Sequence, residues 1–369
     1  MLSFCFITTS VLSKHATLKR ACGMAPVLCS TGHVVTVVIQ DHPDSRLYAL
    51  QHPEVEWVFF PQLSVLKERS WKRRFLDKRV FDVVIYNALG WRNSVRGKNT
   101  PVLSLMEHCE LESANRNISI FRRLAMYVLE WWCIWAFNGQ IGASRYLVDL
   151  LNRRCFCLGW RRLIVWAPYG VDASIAISPS KVNGTSNTGP DKKLILHVGT
   201  VADEYGASFM IEGLASLKMI RDDWRAVFVG HGPALDACRE KIKAMDLEKF
   251  VDMPGFVPEA DLRVLLSQAS VFLSHLNNTE QDWARCPSKV YYYMAKGRPV
   301  VTTTVGENRV ALGESGFYYD ADSPASFSVA TSRALDAGPN WCPAYSPENV
   351  TWEYRTAELL RVINPLFEA

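Results

Sequence analysis

The chain has 369 residues, which is longer than one hydrophobic core usually supports, so its length predicts two domains of roughly 150 to 200 residues each. Hydrophobic residues make up 49% and charged residues 21%, as is ordinary for a globular protein. No uncharged apolar run reaches the roughly 18 residues that a transmembrane helix needs. The net charge of +4 conceals an asymmetry, because residues 1–170 contain 22 Lys and Arg against 12 Asp and Glu, which leaves 19 against 25 for the rest.

The apolar start of the chain, from Met1 to Thr9, is predicted to be a buried strand rather than a signal peptide, because it lacks a basic stretch and a small-residue cleavage site. A cytoplasmic protein is therefore expected. The ten cysteines are scattered without CxxC pairs or histidine partners, which is typical of reduced thiols. The close pair Cys155 and Cys157 is flanked by arginines, which supply no ligands, so no metal site is predicted.

The first half of the chain alternates short apolar runs with amphipathic or basic stretches, which predicts parallel strands joined by helices. A helix over 18–29 is predicted to join the first strand to a second strand over 34–39. Further strands are predicted at 55–60, 81–86 and 101–106. An aromatic-rich helix is predicted over 118–138. Its apolar part, 121–137, is interpreted as buried rather than as a membrane anchor, because about 20 residues are needed to span a bilayer.

A polar segment from Ser178 to Lys192, rich in Gly, Pro, Ser, Thr and Asn, is predicted to be an interdomain linker. After it the alternation restarts and ends in a closing helix over 352–362. Its predicted strands are 194–198, 226–229, 250–253, 271–273 and 299–303, and its predicted helices are 207–219, 233–244, 259–268 and 289–295. Domains are accordingly expected at 1–172 and 193–350, with 173–192 as the linker and 351–369 as a terminal helix.

Three glycine-containing turns follow predicted strands of the second domain, at Gly199, at Gly230-His231-Gly232 and at Gly255. In a doubly wound sheet, ligands bind at the carboxyl ends of the strands, where glycine lets backbone amides approach a phosphate. The turns therefore predict a nucleotide cradle. The alternative is that glycine serves only the positive φ of a tight turn, and no single turn decides between the two.

Longer motifs support the cradle. The second half contains Gly199-Thr-Val-Ala-Asp-Glu-Tyr-Gly206 and Cys286-Pro-Ser-Lys-Val-Tyr-Tyr-Tyr-Met-Ala-Lys-Gly-Arg-Pro-Val-Val-Thr302, and the first half contains Gly32-His-Val-Val-Thr36, Ala143-Ser144 and Ala167-Pro-Tyr-Gly-Val-Asp172. In this order the motifs resemble glycosyltransferase family 4, retaining nucleotide-sugar-dependent enzymes of the GT-B fold, over nearly the whole chain. The resemblance implies two Rossmann-like domains that face a cleft, with the acceptor on the first domain, the nucleotide sugar on the second, and a C-terminal helix that crosses back to the first.

Ser288 and Lys289 begin a predicted helix just after Pro287, and they offer a hydroxyl, an ammonium and helix amides to a leaving diphosphate. They are the predicted phosphate ligands; a solvated surface lysine is the plainer alternative. Arg285 is a second candidate cation. The resemblance adds the other residues of the nucleotide-sugar site, Gly199, Thr200, Gly230, Gly232, Phe256, Val257 and Tyr292. No metal or other cofactor is expected, since these groups suffice to hold the diphosphate.

The chain departs from the family pattern at this site. Thr200 and Tyr205 stand where many members have an arginine and a lysine, and Ala284 and Tyr292 stand where the family has a pair of glutamates. The candidates to replace the lost sugar and ribose contacts are Glu280, Asp282 and the Tyr292 hydroxyl.

His108 follows a predicted strand of the first domain at the place where the family has a histidine that reaches the donor sugar, so the resemblance makes it the catalytic candidate. Without the resemblance, a strand-end histidine is more often a local hydrogen-bonding group. Glu107 and Glu110 are candidate acceptor contacts. Lys14 and His15, in the turn after the first strand, are second-rank candidates.

Two basic stretches with interleaved aromatic residues lie at 67–79 and 153–162. Their composition suits an anionic membrane surface, so peripheral attachment to the inner face of the membrane is predicted. A solvated helix face is the alternative. Nucleic acid would suit the same composition, but no recognition motif accompanies it and no nucleic-acid partner is expected.

Together these patterns predict a glycosyltransferase that moves a sugar from a nucleotide-diphosphate sugar to a lipid-linked or polysaccharide or oligosaccharide acceptor, with retention of anomeric configuration if the family carries over. The rival hypothesis is a catalytically impaired member that acts as a scaffold or partner subunit after losing both glutamates. No motif identifies the sugar, the base or the acceptor, because such specificity lies in loop geometry.

Overall fold

The computed structural model describes residues 1–9, 18–176, 192–338 and 341–368 and divides the chain into two compact units. The first unit comprises Met1–Asp172, Ala284–Cys286 and Trp352–Ala369, and the second comprises Ala173–Trp283 and Pro287–Thr351. Most of the linker predicted at 173–192 lies outside the described residues, as do the candidates Lys14 and His15.

The first unit is built on a parallel sheet of seven strands in the order β3-β2-β1-β4-β5-β6-β7. Its strands are β1 (Ser3–Ile7), β2 (Val34–Gln40), β3 (Glu56–Phe60), β4 (Val83–Tyr86), β5 (Leu103–His108), β6 (Gly139–Gly142) and β7 (Leu163–Trp166). Its first five helices are α1 (Leu18–Ser30), α2 (Pro43–Gln51), α3 (Val65–Leu76), α4 (Ile120–Ala136) and α5 (Arg145–Cys157). Because parallel crossovers are right-handed and the strand order reverses after β3, α1 and α2 cover one face of the sheet, and α3, α4 and α5 cover the other.

The packing of the first unit agrees with this division of its helices. One core cluster joins Ile7 and other residues of the central strands to Leu76 of α3 and Leu129 of α4. A smaller cluster joins Ile134 of α4 to Leu151 of α5. The helices α3, α4 and α5 therefore lie side by side on the sheet, with α4 in the middle. Among the described helices, none is both long enough and apolar enough to cross a bilayer.

The second unit has a parallel sheet of six strands in the order β10-β9-β8-β11-β12-β13. Its strands are β8 (Lys193–Val198), β9 (Trp224–Val229), β10 (Val251–Gly255), β11 (Ala269–Leu273), β12 (Val300–Thr303) and β13 (Gly316–Tyr319). Its helices are α6 (Ala207–Lys218), α7 (Leu235–Ala244), α8 (Glu259–Gln268), α9 (Glu280–Ala284), α10 (Ser288–Ala295), α11 (Glu307–Leu312) and α12 (Pro324–Ala337). These two doubly wound sheets confirm the predicted α/β fold of two Rossmann-like domains.

The last helix, α13 (Trp352–Ile363), belongs to the first unit and packs on α1. Trp352 is 5% exposed and its indole fills the space that two glycines leave open. A Cβ atom on Gly23 or Gly170 would lie 2.2 or 2.6 Å from atoms of that indole. The Trp352 indole therefore packs α13 against both α1 and the segment that follows β7.

Gly23→Ala is expected to destabilise the protein by about 1 to 3 kcal/mol, because the added methyl group cannot fit beside Trp352 without moving α13. The free energy of unfolding from urea denaturation measures the loss. Gly32→Ala serves as the control for a glycine in open space, where the strain of its φ of +88° is the only cost. If Gly23→Ala together with Trp352→Leu recovers no stability, the two positions are not coupled in the way the packing requires.

Candidate functional site

Three glycine turns of the second unit meet at one edge of its sheet. The strand order reverses between β8 and β11, and in open parallel sheets ligands bind at the carboxyl ends of strands beside such a switch point. Gly199, Gly230 and Gly255 lie at the ends of β8, β9 and β10. The amide of Gly199 donates to Val229 O at 2.9 Å, and the amide of Gly230 donates to Gly255 O at 2.8 Å. The predicted turns are thus hydrogen-bonded to one another.

The packing of these turns requires glycine at two positions. Gly230 has a φ of 139°, and a Cβ atom there would lie 1.9 Å from the carbonyl oxygen of Gly199. A Cβ atom on Gly232 would lie 2.1 Å from the carbonyl oxygen of Val201. Close contact between the loops thus accounts for both glycines without any ligand. Their contact with a nucleotide stays a prediction.

Lys289 lies directly over the turn that follows β8. It is half-buried in the first turn of α10, and a Cβ atom on Gly199 would lie 2.8 Å from its Nζ. The same Nζ lies 5.8 Å from the ring centroid of Tyr205. An ammonium, a glycine turn and a helix N-terminus therefore converge at the switch point, which is the arrangement that holds phosphate in many α/β folds.

Two buried histidines lie behind this ammonium. Burial, and then the Lys289 ammonium, lower the pKa of His197 well below its ordinary value. Burial also lowers the pKa of His275, whose Nδ1 is 2.9 Å from the Tyr319 hydroxyl and whose Nε2 is 3.0 Å from Asn277 Oδ1. Both rings are therefore neutral near pH 7, and the positive charge at this edge comes from Lys289.

The sequence did not single out Tyr293, which fixes α10 to the sheet. Its hydroxyl accepts a hydrogen bond from the Val198 amide at 3.0 Å, at the last residue of β8. Its ring stacks on Phe272 of β11 with the centroids 4.3 Å apart. Tyr293 thereby positions Lys289 over the glycine turn. The only sequence signal was the row of three tyrosines in which it stands.

The neighbouring tyrosines have different surroundings. Tyr291 is buried, and its hydroxyl donates to Glu307 Oε1 at 2.7 Å. Tyr292, the candidate for ribose contact, is half-buried, and the Lys296 ammonium lies 5.6 Å from its ring centroid. Tyr291 and Tyr293 thus have core roles, while Tyr292 lies nearer the surface, and its ribose contact stays a prediction.

The remaining donor-site candidates of the second unit lie at or near its surface. Thr200 is exposed, and Val257 and Ser288 are half-buried. Phe256 is 82% exposed, and its ring stacks on His231 with the centroids 5.9 Å apart and the planes 10° apart. That exposed pair of rings offers a flat apolar surface beside the turns, of the kind on which a base stacks.

The loop that contains Glu280 and Asp282 is held by internal hydrogen bonds. Asp282 is 2% exposed, and its Oδ2 accepts from the Asn277 amide at 2.9 Å. The Asn277 side-chain amide donates to Glu204 O at 3.0 Å. Asp282 therefore shapes the loop, whereas Glu280 is exposed. Contact of either residue with a sugar stays a prediction.

Arg285 is placed in the first unit, unlike the other donor-site candidates. It is 8% exposed and lies in the short segment Ala284–Cys286. The carbonyl oxygen of Ala284 accepts from Ser144 Oγ at 2.8 Å, and the Ala284 side chain packs against Leu111 and Leu147. Ala284 thus fills a core position where the family pattern has a glutamate.

A buried charge network lies at the end of β5 in the first unit. Glu107 is fully buried and forms an ion pair with Arg20 of α1. Glu107 also accepts hydrogen bonds from the Asn87 side chain and, at 3.1 Å, from Cys109 Sγ. Burial lowers the pKa of Arg20, but the Glu107 carboxylate together with Cys109, Tyr169 and Cys286 outweighs burial, so the pKa is raised overall. The structure thus gives Glu107 an internal partner, while Glu110, the other acceptor candidate, is half-buried.

His108 is 3% exposed at the last position of β5. Its Nε2 lies 2.9 Å from Gln140 Oε1, and the Gln140 amide donates to Cys133 O at 3.2 Å, so Nε2 carries the proton and Nδ1 is the acceptor. Burial lowers the pKa of His108 to about 4. The ring is therefore neutral near pH 7. Its catalytic role stays a prediction, and it would act as a neutral ring held by Gln140.

The stability of the first unit is expected to fall by about 3 kcal/mol as the pH drops from about 6.5 to about 4, because His108 takes up a proton in the unfolded state but not in the folded state over this range. The free energy of unfolding in urea is measured across that range for wild type and for His108→Gln. The difference between their slopes against pH gives the contribution of His108. Parallel pH profiles for the two proteins would contradict it.

Residues 192–337 match the family model described as Glycosyl transferases group 1. Apart from Ala284–Cys286, this segment lies within the second unit, and it contains all of that unit's donor-site candidates. The chain is 30% identical over 126 residues to the putative colanic acid biosynthesis glycosyltransferase WcaL of Salmonella typhimurium, over 33% of this chain and 31% of that protein.

A second relative, the amylovoran biosynthesis glycosyltransferase AmsK of Erwinia amylovora, is 28% identical over 131 residues, over 35% of this chain and 32% of that protein. The chain thus spans about a third of the length of the curated relatives that it matches. Among solved structures, Anabaena HepE in complex with UDP and glucose matches with a TM-score of 0.69 at 13% identity, over 100% of this chain and 99% of that one. Sucrose-phosphate synthase from Thermosynechococcus elongatus matches with a TM-score of 0.69 at 13% identity over the whole of both chains. These similarities in fold confirm the predicted GT-B architecture.

Proposed function

We propose that this chain, which has the fold of GT-B glycosyltransferases, transfers a sugar from a nucleotide-diphosphate sugar to a polysaccharide, oligosaccharide or lipid-linked acceptor. The observation that carries the proposal is the position of the Lys289 ammonium over Gly199, at the N-terminus of α10 and at the switch point of the second unit. A cation and a helix N-terminus at one point suit a diphosphate.

The proposed chemistry places positive charge where negative charge develops. As the bond between the anomeric carbon and the diphosphate oxygen breaks, the leaving diphosphate gains charge, and Lys289, Ser288 and the amides of α10 are the groups proposed to stabilise it. This set requires no metal ion, so we propose metal-independent transfer. His108 is proposed to act at the sugar as a neutral hydrogen-bonding group, and retention of configuration is proposed from the family resemblance.

The nature of the donor and the acceptor is supported by the similar proteins. HepE was solved with UDP and glucose, which supports a nucleotide sugar as the donor and makes UDP the first nucleotide to test. WcaL and AmsK are described as glycosyltransferases of colanic acid and amylovoran biosynthesis. Their names support an acceptor that is a growing polysaccharide or one of its precursors. A cytoplasmic location at the inner face of the membrane, as predicted from the sequence, is part of the same proposal.

The function is tested by incubating the protein with a panel of nucleotide sugars in the presence of a metal chelator and measuring the release of the nucleoside diphosphate. Slow hydrolysis of at least one donor is expected without any acceptor, and NMR of the released sugar reports its anomeric configuration. His108→Ala should abolish the hydrolysis. No release from any donor would exclude the enzyme.

The replacement of both family glutamates favours one alternative, a catalytically impaired scaffold or partner subunit. Ala284 fills a hydrophobic core position and Tyr292 offers only a hydroxyl. This alternative predicts no turnover of any nucleotide sugar, whether or not the protein binds a nucleoside diphosphate. Transfer or hydrolysis of a single donor at a rate that depends on His108 would therefore exclude it.

A further inference from the structure

The outer face of α4 carries a row of exposed apolar side chains. Phe121 is 82% exposed, Leu124 is 61% exposed, and Val128 and Trp135 are each 57% exposed. Their spacing of three, four and seven residues places them on one side of the helix. We call these four residues the α4 stripe. The prediction of a buried helix over 121–137 is therefore wrong for this side.

The other side of α4 accounts for its burial in the core. Met126, Leu129 and Cys133 belong to the cluster that α4 shares with α3 and the sheet. Glu130, the only acidic residue of α4, also lies on this inner side, where it accepts a hydrogen bond from Arg154 of α5 at 2.9 Å. The helix thus buries its carboxylate and exposes its apolar residues, which is the reverse of an ordinary solvated helix face.

Exposed cations flank the α4 stripe on both sides. On α3, Lys67, Arg73 and Arg74 are exposed, while its only acidic residue, Glu68, is 2% exposed and paired with Lys72. The end of α5 and the loop after it expose Arg153, Phe156 and Arg161, and Arg122 is exposed on α4 itself. The three helices are neighbours on one face of the sheet, so an apolar row without an exposed acid runs between two borders rich in cations, of which the α5 border also exposes Asp149.

We propose that the α4 stripe and its basic borders form a docking surface for a membrane that contains anionic phospholipids. An apolar row with tryptophan and phenylalanine suits the boundary between headgroups and acyl chains, and flanking lysine and arginine side chains suit lipid phosphates. The charge pattern selects this occupant, since an apolar protein partner would not need cations along both borders. The proposal deepens the proposed function, on which it rests, by bringing the first unit to the surface where a lipid-linked acceptor lies.

The proposal also revises which part of the chain contacts lipid. The sequence assigned this contact to the two basic stretches, 67–79 and 153–162. In the structure those stretches supply the borders, and the helix between them supplies the residues that insert. Arg154, in the second stretch, is not available to lipid because it is 8% exposed and bonded to Glu130.

Vesicle flotation with the full chain tests the surface. We expect binding to vesicles of equal parts phosphatidylglycerol and phosphatidylcholine, and weak or no binding to phosphatidylcholine alone. Phe121→Ser combined with Leu124→Ser should lower the partition coefficient by about a hundredfold, because the coefficient falls roughly tenfold for each apolar side chain that no longer inserts. Arg73→Ser combined with Arg74→Ser should lower it by about twentyfold at low salt, and by little at about 1 M salt, where exposed charges are screened.

The matched control is Leu47→Ser combined with Leu50→Ser. These leucines are 62% and 79% exposed on α2, which covers the other face of the same sheet, and their loss should leave the partition coefficient unchanged. Equal loss of binding in this control and in the α4 variant would overturn the proposal. So would equal binding of the wild type to neutral and anionic vesicles.

Two further measurements separate this surface from other roles. Donor hydrolysis by the α4 variant should equal that of the wild type, so a failure of vesicle binding is distinguishable from a failure of the proposed transferase. Light scattering should show the same molar mass for both proteins. If the α4 variant instead dissociates an oligomer while binding vesicles as the wild type does, the stripe is an interface between copies of the chain and the membrane proposal is wrong.

Discussion

Lys289→Met is expected to weaken the binding of UDP by about thirtyfold or more. Methionine keeps most of the aliphatic length over Gly199 but removes the ammonium, so the change isolates the charge at the switch point. A charge-assisted hydrogen bond to a phosphate in a partly buried site contributes about 2 kcal/mol or more, which corresponds to this loss. Isothermal titration calorimetry with UDP, and with GDP as the second nucleotide, measures the affinity.

Lys243→Met provides the matched control for this experiment. Lys243 is exposed on α7 of the same unit, so the variant loses the same charge at a distance from the turns. It should bind as the wild type does. If wild type and Lys289→Met bind the nucleotide with equal affinity, Lys289 does not contact it. The proposed function would then lose the observation on which it depends.

The second large effect is expected at the ion pair between Arg20 and Glu107. Glu107→Gln or Arg20→Met alone should destabilise the first unit by about 3 to 5 kcal/mol, because each leaves a buried charge without its partner. The double variant should recover part of this loss, since it removes both charges from the interior. Hydrogen exchange of the amides in β1, β4 and β5 reports the free energy of opening for this unit.

A surface ion pair supplies the comparison. Glu56 and Arg79 are paired at 2.7 Å, but each side chain is at least 40% exposed, so Glu56→Gln should cost less than about 1 kcal/mol. A loss at Glu107 no larger than the loss at Glu56 would mean that water reaches the buried pair. A double variant as unstable as the sum of the single variants would show that the two charges do not act on each other.

The fold was predictable where strands are long and apolar. Runs such as 34–39 and 194–198 indicate their strands because a strand buried on both faces needs apolar residues at every position. Strand β13 was not predicted, because Gly-Phe-Tyr-Tyr is short and lacks the Val and Ile that mark a buried strand. Helix α12 was also missed, although Ser323 caps it and Pro324 begins it, because its many Ser and Thr residues obscure the helical period.

The candidate site was predictable as a location but not as a set of contacts. Glycines after successive parallel strands must share one edge of the sheet, so the meeting of Gly199, Gly230 and Gly255 follows from their positions in the sequence. The bond between Tyr293 and Val198 joins residues 95 positions apart and depends on how α10 packs. The exposed side of α4 could not be read from hydropathy either, because the helix is apolar on both sides and only its packing decides which side is buried.

The assignment of α13 to the first unit has a consequence for how the protein is made. The ribosome releases β1 to β7 first, but the indole that fills the gap between Gly23 and Gly170 emerges only after all six strands of the second unit. Until then, the nascent first unit exposes an apolar slot along α1. Co-translational folding can therefore finish the second unit before the first, and a chain stalled or truncated ahead of Trp352 would present that slot to chaperones and proteases.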